Sequence, residues 1–185
     1  MTRPTAVALT GGIAAGKSEA LESFARHGAA TASADAIVHQ LLASDEEVRE
    51  AIRGRWGEAA VGDRERIGKI VFDQPAELEW LEQLLHPRTR RAQLEWLEGV
   101  TAPLAVVEVP LLYETGGEKR FDAVVVITAP TEVRGARRPI TDDRESRLLP
   151  DEEKVRRADF SYVNDGTLEE LDAFVAGVVE RLTSS

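Results

Sequence analysis

The chain alternates between short apolar runs and longer stretches in which apolar residues recur every three or four positions. The short runs are continuously hydrophobic, which is typical of parallel strands covered on both faces. The longer stretches have the period of amphipathic helices. This alternation predicts a doubly wound α/β fold with a five-stranded parallel sheet and helices on both faces. The predicted strands are residues 5–10, 29–33, 104–109, 123–128 and 160–163.

Helix boundaries are marked at both ends of the chain. The first helix is expected to end near Gly28, after the basic residues Arg26 and His27. The last helix should begin at the capping box that runs from Thr167 to Glu170. Its predicted apolar face comprises Leu168, Leu171, Val175, Val178 and Leu182.

A long helical excursion separates the second and third predicted strands. It spans residues 37–97 within a chain, residues 1–185, that we interpret as a single domain. Leu78, Leu81 and Leu85 form an apolar stripe, and Pro87 is expected to end or kink their helix. The excursion is either a subdomain that binds a substrate or a purely structural insert.

The composition narrows the function classes. A net charge of −10 over 185 residues argues against a general nucleic-acid binder, which needs a basic surface. The absence of cysteine excludes disulfides and thiolate metal sites and fits a reducing cytosol. No apolar run approaches the length of a membrane span, and the N-terminus does not resemble a secretory signal. We therefore expect a cytoplasmic protein, a monomer or small homo-oligomer, with no nucleic-acid or membrane partner.

A complete phosphate-loop motif follows the first predicted strand and precedes a helix. The glycines let the backbone curl, so that several N–H groups point into one concavity at a helix N-terminus. The lysine can then reach the β- and γ-phosphates, and the serine hydroxyl can bind Mg²⁺. The motif predicts a site for ATP and Mg²⁺. Its residues are Gly11, Gly12, Ile13, Ala14, Ala15, Gly16, Lys17 and Ser18.

The motif alone does not select a reaction, because kinases, GTPases, ATPases and motor domains share it. The chain lacks an Asn-Lys-x-Asp motif for guanine and is short for the fold. A small-molecule kinase is therefore favoured over a GTPase.

Asp35 lies just past the second predicted strand, where a parallel sheet presents its carboxyl edge to ligands. Its carboxylate either accepts a proton from a substrate hydroxyl or caps the helix that follows. Position alone leaves both interpretations open.

Three further segments carry candidate ligand contacts. His86 and Arg88 stand in a basic cluster that either binds phosphate or forms a solvated helix face paired with glutamates. The segment Pro110-Leu111-Leu112-Tyr113-Glu114 follows the third predicted strand and is either part of the site or a hydrophobic strand exit. An arginine-rich segment, residues 134–150, is either a lid over the transferring phosphate or a charged helix pair. Its arginines are Arg134, Arg137, Arg138, Arg144 and Arg147.

Taken together, these motifs resemble the dephospho-coenzyme A kinase family over nearly the whole chain. The order and spacing of several short segments carry the resemblance. They are Leu9-Thr10-Gly11-Gly12-Ile13, Ser33-Ala34-Asp35, His86-Pro87, Val109-Pro110-Leu111-Leu112-Tyr113-Glu114, Ala158-Asp159-Phe160 and Asn164-Asp165-Gly166.

The resemblance implies a kinase that transfers the γ-phosphate of ATP to the 3′-hydroxyl of dephospho-coenzyme A. It implies that Asp35 is the catalytic base, beside Lys17 and a lid arginine, for which we choose Arg144. It places the adenine of ATP near Asn164 and Gly166. The coenzyme A side is assigned to the helical insert, with His86 and Arg88, and we add Pro110, Leu111 and Glu114. Two alternatives are a kinase for a nucleoside or sugar acid, and a nucleotide- or coenzyme A-binding protein with reduced activity.

The chain departs from the family pattern at a few positions. Ser33 replaces an acidic residue, Glu19 stands where threonine commonly follows the loop serine, and Leu148 replaces a glutamine. The stretches 60–67 and 138–144 are shorter than usual in the family. The lid is therefore expected to be short.

Overall fold

The structure is a computed structural model that describes residues 3–72, 74–137 and 148–184. It divides into two compact units. The first contains the described residues up to Ser33 and those from Gly99 onward, and the second runs from Ala34 to Glu98.

A five-stranded sheet, parallel throughout, forms the centre of the first unit and confirms the predicted fold class. The strand order is β2-β3-β1-β4-β5, so the strand before the phosphate loop lies in the middle. Each predicted boundary is met to within one residue. The strands are β1 (Thr5–Gly11), β2 (Ala30–Ser33), β3 (Leu104–Glu108), β4 (Ala123–Thr128) and β5 (Phe160–Val163).

The continuous hydrophobicity of the inner strands has the predicted cause. Every residue of β4 is buried, as is all of β1 after Thr5, whereas the edge strands β2 and β5 are only partly covered. Because side chains alternate between the faces of a sheet, burial of consecutive residues means that both faces are covered.

In the described part of the first unit, four α-helices accompany the sheet. The capping box opens the last of them, with Thr167 accepting from the Glu170 N–H and the Glu170 carboxylate accepting from the Thr167 N–H. Leu171, Val175 and Val178 are buried as predicted, but Leu168 is 65% exposed, because the buried stripe begins one turn later. These helices are α1 (Lys17–Arg26), α6 (Thr131–Arg137), α7 (Asp151–Arg157) and α8 (Leu168–Thr183).

The second unit is helical and has a core of its own. Val48, Ile52, Ile67, Leu81 and Leu85 are buried together in it. Among the described residues, no helix of either unit is long and apolar enough to cross a membrane. The helices of the second unit are α2 (Ala34–Ser44), α3 (Glu46–Trp56), α4 (Arg64–Phe72) and α5 (Pro75–Gly99).

Pro87 does not end its helix, so the first of the two predicted effects, an end or a kink, is wrong. It lies inside α5, which continues for another twelve residues to Gly99. A proline disrupts the hydrogen bonds of the preceding turn, and here the Arg88 guanidinium donates to the Leu84 carbonyl of that turn at 2.9 Å. Buried Leu85 before the proline and buried Gln93 after it fix both halves of the helix.

Candidate active site

The phosphate loop joins the central strand β1 to α1. Gly16, the residue before the helix, adopts a left-handed conformation with φ 99°. Ala14 is also left-handed, with φ 57°, and is the one such non-glycine among the described residues. Two left-handed positions within three residues curl the chain back on itself. This is the conformation that turns successive N–H groups into one concavity.

Two loop glycines are required because atoms from other parts of the chain approach them closely. A Cβ added to Gly11 would lie 1.8 Å from the carbonyl oxygen of Ile127 in the neighbouring strand. A Cβ added to Gly16 would lie 2.1 Å from the side-chain nitrogen of Asn164. Any side chain at either position would displace the loop, so both glycines are structural requirements of the motif.

Lys17 and Ser18 present the two functional groups expected of the loop. Lys17 Nζ donates to the Gly12 carbonyl at 2.8 Å, so the ammonium group lies across the loop. Ser18 is exposed, and in the described part of the chain its hydroxyl forms no hydrogen bond. An ammonium over the loop and an available hydroxyl on the first turn of α1 are the groups that the predicted roles require.

Asn164 links the phosphate loop to the sheet. It is 3% exposed, and its side chain donates to the Ala15 carbonyl at 2.8 Å. Its backbone N–H donates to the Thr128 carbonyl at 2.7 Å, which fixes it at the end of β4. The loop is thereby attached to the sheet by a buried amide. An adenine contact by Asn164 stays a prediction, whereas the contact with the loop is a feature that the sequence did not indicate.

Gly166 has a local structural reason of its own. A Cβ at this position would lie 1.9 Å from Glu170 Oε2, the carboxylate of the capping box. A side chain here would displace the Glu170 carboxylate from the capping box. Its proposed place near the adenine stays a prediction.

Side chains from α6 and α7 also reach the loop. A Cβ on Gly12 would meet Arg134 Nη1 and Asp151 Oδ2, each at 3.1 Å. Arg137 makes long hydrogen bonds with the carbonyls of Ala14, Ala15 and Asn164, at 3.3 to 3.4 Å. The two arginines bring positive charge to the loop, and Asp151 is a neighbour that the sequence analysis missed. Of the predicted lid, residues 138–147, and with them Arg138, Arg144 and Arg147, lie outside the described residues.

The segment after β3 forms a turn at the carboxyl edge of the sheet. The Pro110 carbonyl accepts a hydrogen bond from the Thr10 hydroxyl at 3.4 Å, and Leu111 is exposed. Tyr113 is buried, which raises its pKa. Glu114 points inward, where its carboxylate accepts from the Leu149 N–H at 2.8 Å. The described contacts of Glu114 are therefore internal to the first unit.

The far end of α1 is attached to α8 through one carboxylate. Asp172 accepts from Ser23 Oγ at 2.6 Å and from Arg26 at 2.7 Å, and it contacts His27 Nε2 at 3.1 Å. The Ser23 hydrogen bond, followed by those of Arg26 and His27, lowers the pKa of Asp172 well below its usual range. This cluster anchors the helix that begins with Lys17.

Asp35 lies in the first turn of α2, two residues after the end of β2. The helix begins at Ala34, so Asp35 is inside it and is not its N-cap. Asp35 is exposed, and within the described ranges its carboxylate forms no hydrogen bond or ion pair. The capping alternative is wrong, and the carboxylate is available to a ligand.

The basic cluster on α5 is partly neutralised within the second unit. Arg88 pairs with Glu47 of α3 at 2.8 Å, and Arg91 pairs with Glu95 at 2.8 Å, while His86 is exposed. A cavity of about 390 Å³ beside Arg88 and Arg91 is lined by four carboxylates, so an anionic ligand would meet net negative charge there. These contacts agree with the alternative of a solvated helix face whose arginines pair with glutamates. A ligand that used Arg88 would have to displace Glu47.

Comparison with known proteins decides the family. The model of the dephospho-CoA kinase family matches residues 5–170, which include the whole phosphate loop. The chain belongs to the dephospho-CoA kinase family. The match extends from β1 to the first turn of α8 and therefore covers both units.

Individual relatives agree with the family model. A dephospho-CoA kinase from Thermus thermophilus is 33% identical over 191 aligned positions, covering 97% of this chain and 93% of that protein. A crystal structure from the same organism is 30% identical, covers 98% of this chain and all of that one, and superposes with a TM-score of 0.84. A dephospho-CoA kinase from Campylobacter jejuni, at 23% identity, has the same fold, with 98% and 99% coverage and a TM-score of 0.70. The predicted phosphate-loop kinase fold is thereby confirmed.

Proposed function

We propose that the protein transfers the γ-phosphate of ATP to the 3′-hydroxyl of dephospho-coenzyme A, the last step of coenzyme A synthesis. The observation that carries the proposal is an intact phosphate loop, from Gly11 to Ser18, inside a chain that matches the dephospho-CoA kinase model over residues 5–170. The fold supports phosphoryl transfer, and the family supports the acceptor. The cysteine-free, acidic composition agrees with a cytoplasmic location.

The loop binds the nucleotide through backbone groups that are already in place and through the Lys17 side chain. The backbone N–H groups between Gly12 and Lys17 surround the phosphates, and Lys17 moves from the Gly12 carbonyl to a phosphate oxygen. Arg134 and Arg137 add positive charge from α6. Such a preorganised electrostatic site stabilises the charge that shifts between oxygens in the transition state. The catalytic role of Arg144 stays a proposal that follows from the family alone.

The residues present fit Mg²⁺ bound together with the nucleotide. The Ser18 hydroxyl is exposed and free to act as a ligand, and no described group of three or more His, Cys, Asp or Glu residues is placed to hold a metal by itself. When bound, the ion would offset the charge of the phosphate oxygens. Ser18 would supply the protein's ligand, with phosphate oxygens and water completing the shell.

Asp35 is the proposed base. Its carboxylate is exposed and without a hydrogen-bond partner in the described residues, which a group that must receive a hydroxyl proton requires. The chain reaches it two residues after β2, a strand whose carboxyl end lies on the same edge of the sheet as the loop. Positioning the hydroxyl is the larger part of such catalysis.

The acceptor is assigned to His86 and Arg88 of α5, with Pro110 and Leu111 of the turn after β3. Glu114, predicted with them, is left out of this group, because its carboxylate points inward and accepts from the Leu149 N–H. Exposed His86 and Leu111 support contact with a ligand. Arg88 would exchange the Glu47 carboxylate, to which its Nη2 donates, for an acceptor phosphate, since a guanidinium binds both kinds of anion.

A coupled assay of ADP release tests the proposal. Purified protein with MgATP should release ADP when dephospho-coenzyme A is added, and the product should carry the new phosphate at the 3′-position. Nucleosides and sugar acids serve as competing acceptors, and Lys17→Ala serves as the inactive control. Faster turnover of another acceptor would refute the assigned substrate, and tight binding without ADP release would refute the catalytic function.

A further inference from the structure

A buried charge pair lies between α7 and the turn after β3. The Lys154 side chain is completely buried, and its Nζ lies 3.7 Å from Glu114 Oε1. This separation is too long for a hydrogen bond, and among the described residues Lys154 Nζ has no hydrogen-bond partner. Glu114, whose side chain is 14% exposed, accepts from the Leu149 N–H through Oε1, and its buried Oε2 is also without a described partner.

Such a pair is a poor source of stability. Removing both charges from water is costly, and the attraction between them repays that cost only when the geometry is close and every polar atom is satisfied. Here the distance is long and two polar atoms lack partners. An uncharged side chain of similar length would fill the space as well, so the charges need another explanation.

The position of the pair on α7 suggests why both residues are charged. Lys154 stands one turn after Asp151, whose carboxylate lies beside Gly12 of the phosphate loop. One turn further, the Arg157 guanidinium lies 4.3 Å over the Tyr113 ring and also pairs with a carboxylate of the segment after β3. One face of α7 is thus fixed to this segment, while its first residue reaches the loop.

We propose that Glu114 and Lys154 are positioning residues that hold α7, and with it Asp151, at a fixed distance from the phosphate loop. They act through the helix and do not touch a substrate. The inference rests on the proposed function only in taking nucleotide phosphates as the ligand of the loop. It replaces the substrate contact predicted for Glu114 with an indirect role on the ATP side of the site, through α7.

The test uses Glu114→Gln, Lys154→Met and the combined variant of the full-length protein. Glutamine retains an acceptor for the Leu149 N–H, and methionine retains most of the length of lysine. Calorimetry gives the Kd of ATP and of dephospho-coenzyme A separately, and thermal unfolding reports the fold. The matched control is Glu65→Gln with Lys69→Met, which removes an exposed pair at 2.6 Å on α4.

Lys154→Met leaves a buried carboxylate unpaired, so α7 should shift and move the Asp151 carboxylate that lies beside Gly12. The Kd of ATP should therefore change by about tenfold, in either direction. The Kd of dephospho-coenzyme A should stay within about twofold, as should both constants of the control. The combined variant should return most of the way to the parent affinity for ATP, because it removes the unpaired charge as well. If Lys154→Met does not fold, Glu114→Gln and the combined variant decide through the same constants.

Three results would overturn the inference. Weaker dephospho-coenzyme A binding with unchanged ATP binding in Glu114→Gln would make Glu114 a substrate contact. Parent-like affinities with a lower unfolding temperature would make the pair merely structural. Changes that add up in the combined variant would show that the two residues are not coupled. Because ATP binding is measured without an acceptor, a parent protein that fails to phosphorylate dephospho-coenzyme A would refute the proposed function and leave this test intact.

Discussion

Replacing Asp35 with asparagine separates catalysis from folding. The side chain keeps its size and loses its charge. The carboxylate is exposed, it makes no described hydrogen bond, and it does not cap α2. Its structural contribution is therefore limited to the favourable interaction of a negative charge with the first turn of a helix.

The expected changes in stability and in reaction rate can both be estimated. The lost interaction with the helix dipole is worth about 0.3–1 kcal/mol at an exposed site. For a protein of this size that corresponds to a decrease in Tm of about 1–4 °C. A general base contributes about 10²–10⁴-fold to the rate, so kcat should fall by at least about 100-fold. ATP affinity should be unchanged, because the phosphate loop is untouched.

The assay is ADP release at saturating MgATP and dephospho-coenzyme A, combined with thermal unfolding and a calorimetric Kd for ATP. Glu169→Gln is the matched control, because Glu169 is another exposed carboxylate in the first turn of a helix, α8, with no hydrogen bond or ion pair in the described part of the chain. It should show a similar small change in Tm and parent-like turnover. A folded Asp35→Asn protein with near-parent kcat would refute Asp35 as the base, though not the phosphate loop.

Three further substitutions test other parts of the site. Lys17→Ala should abolish most phosphoryl transfer with little change in Tm, and unaltered turnover would show that the loop is not the active phosphate site. Arg88→Ala should raise the KM for dephospho-coenzyme A more than that for ATP. The control Arg91→Ala, at the neighbouring ion pair, should change neither KM. Equal effects of Arg88→Ala on both substrates would indicate that Arg88 belongs to a solvated helix face. Asp172→Asn should lower the Tm at pH 7, and its difference from the parent should shrink as the pH falls below about 4, because a depressed pKa stabilises the folded state only while the carboxylate is ionised. Glu22→Gln, which removes an exposed carboxylate of α1, is the control, and a pH-independent difference would exclude the Asp172 carboxylate as the cause.

The sheet was predictable because its signal is local. Residues 123–128 are apolar at every position but the last, and such a short run, rich in β-branched residues, is typical of a strand buried on both faces. The phosphate loop was predictable for a similar reason, since its motif is continuous in sequence, although the atoms that approach Gly11 and Gly16 come from distant parts of the chain. In both cases neighbours along the chain carry the information.

Two details of the helices differ from the prediction because packing and side-chain contacts decide them. The sequence around Pro87 suggests a helix end, but an arginine one residue later donates to the preceding turn and buried residues fix both sides. Leu168 has the correct helical phase but lies at the first position of α8, ahead of the part that the sheet covers. Helical periodicity gives the direction of a side chain and not the extent of the surface that covers it.

The supporting residues of the site were the hardest to find. Asn164 and Ala15 are 149 positions apart in the chain, and only the sheet order brings them together. The same holds for Lys154 and Glu114, whose side chains meet across a helix and a turn. A lone asparagine or lysine in a sequence gives no sign of burial, so the contacts of Asn164 with Ala15 and of Lys154 with Glu114 could not be predicted from spacing.

The distribution of charge explains how an acidic protein can bind a polyanion. With a net charge of −10, the chain as a whole repels a nucleotide, so binding depends on donors at short range. The loop provides them as backbone N–H groups and Lys17, and Arg137 lies against its carbonyls with no ion pair among the described residues. Arg88 differs, because Glu47 already neutralises it. The ATP side is therefore preorganised, whereas an acceptor that uses Arg88 must first break an ion pair, and its binding should cost correspondingly more reorganisation.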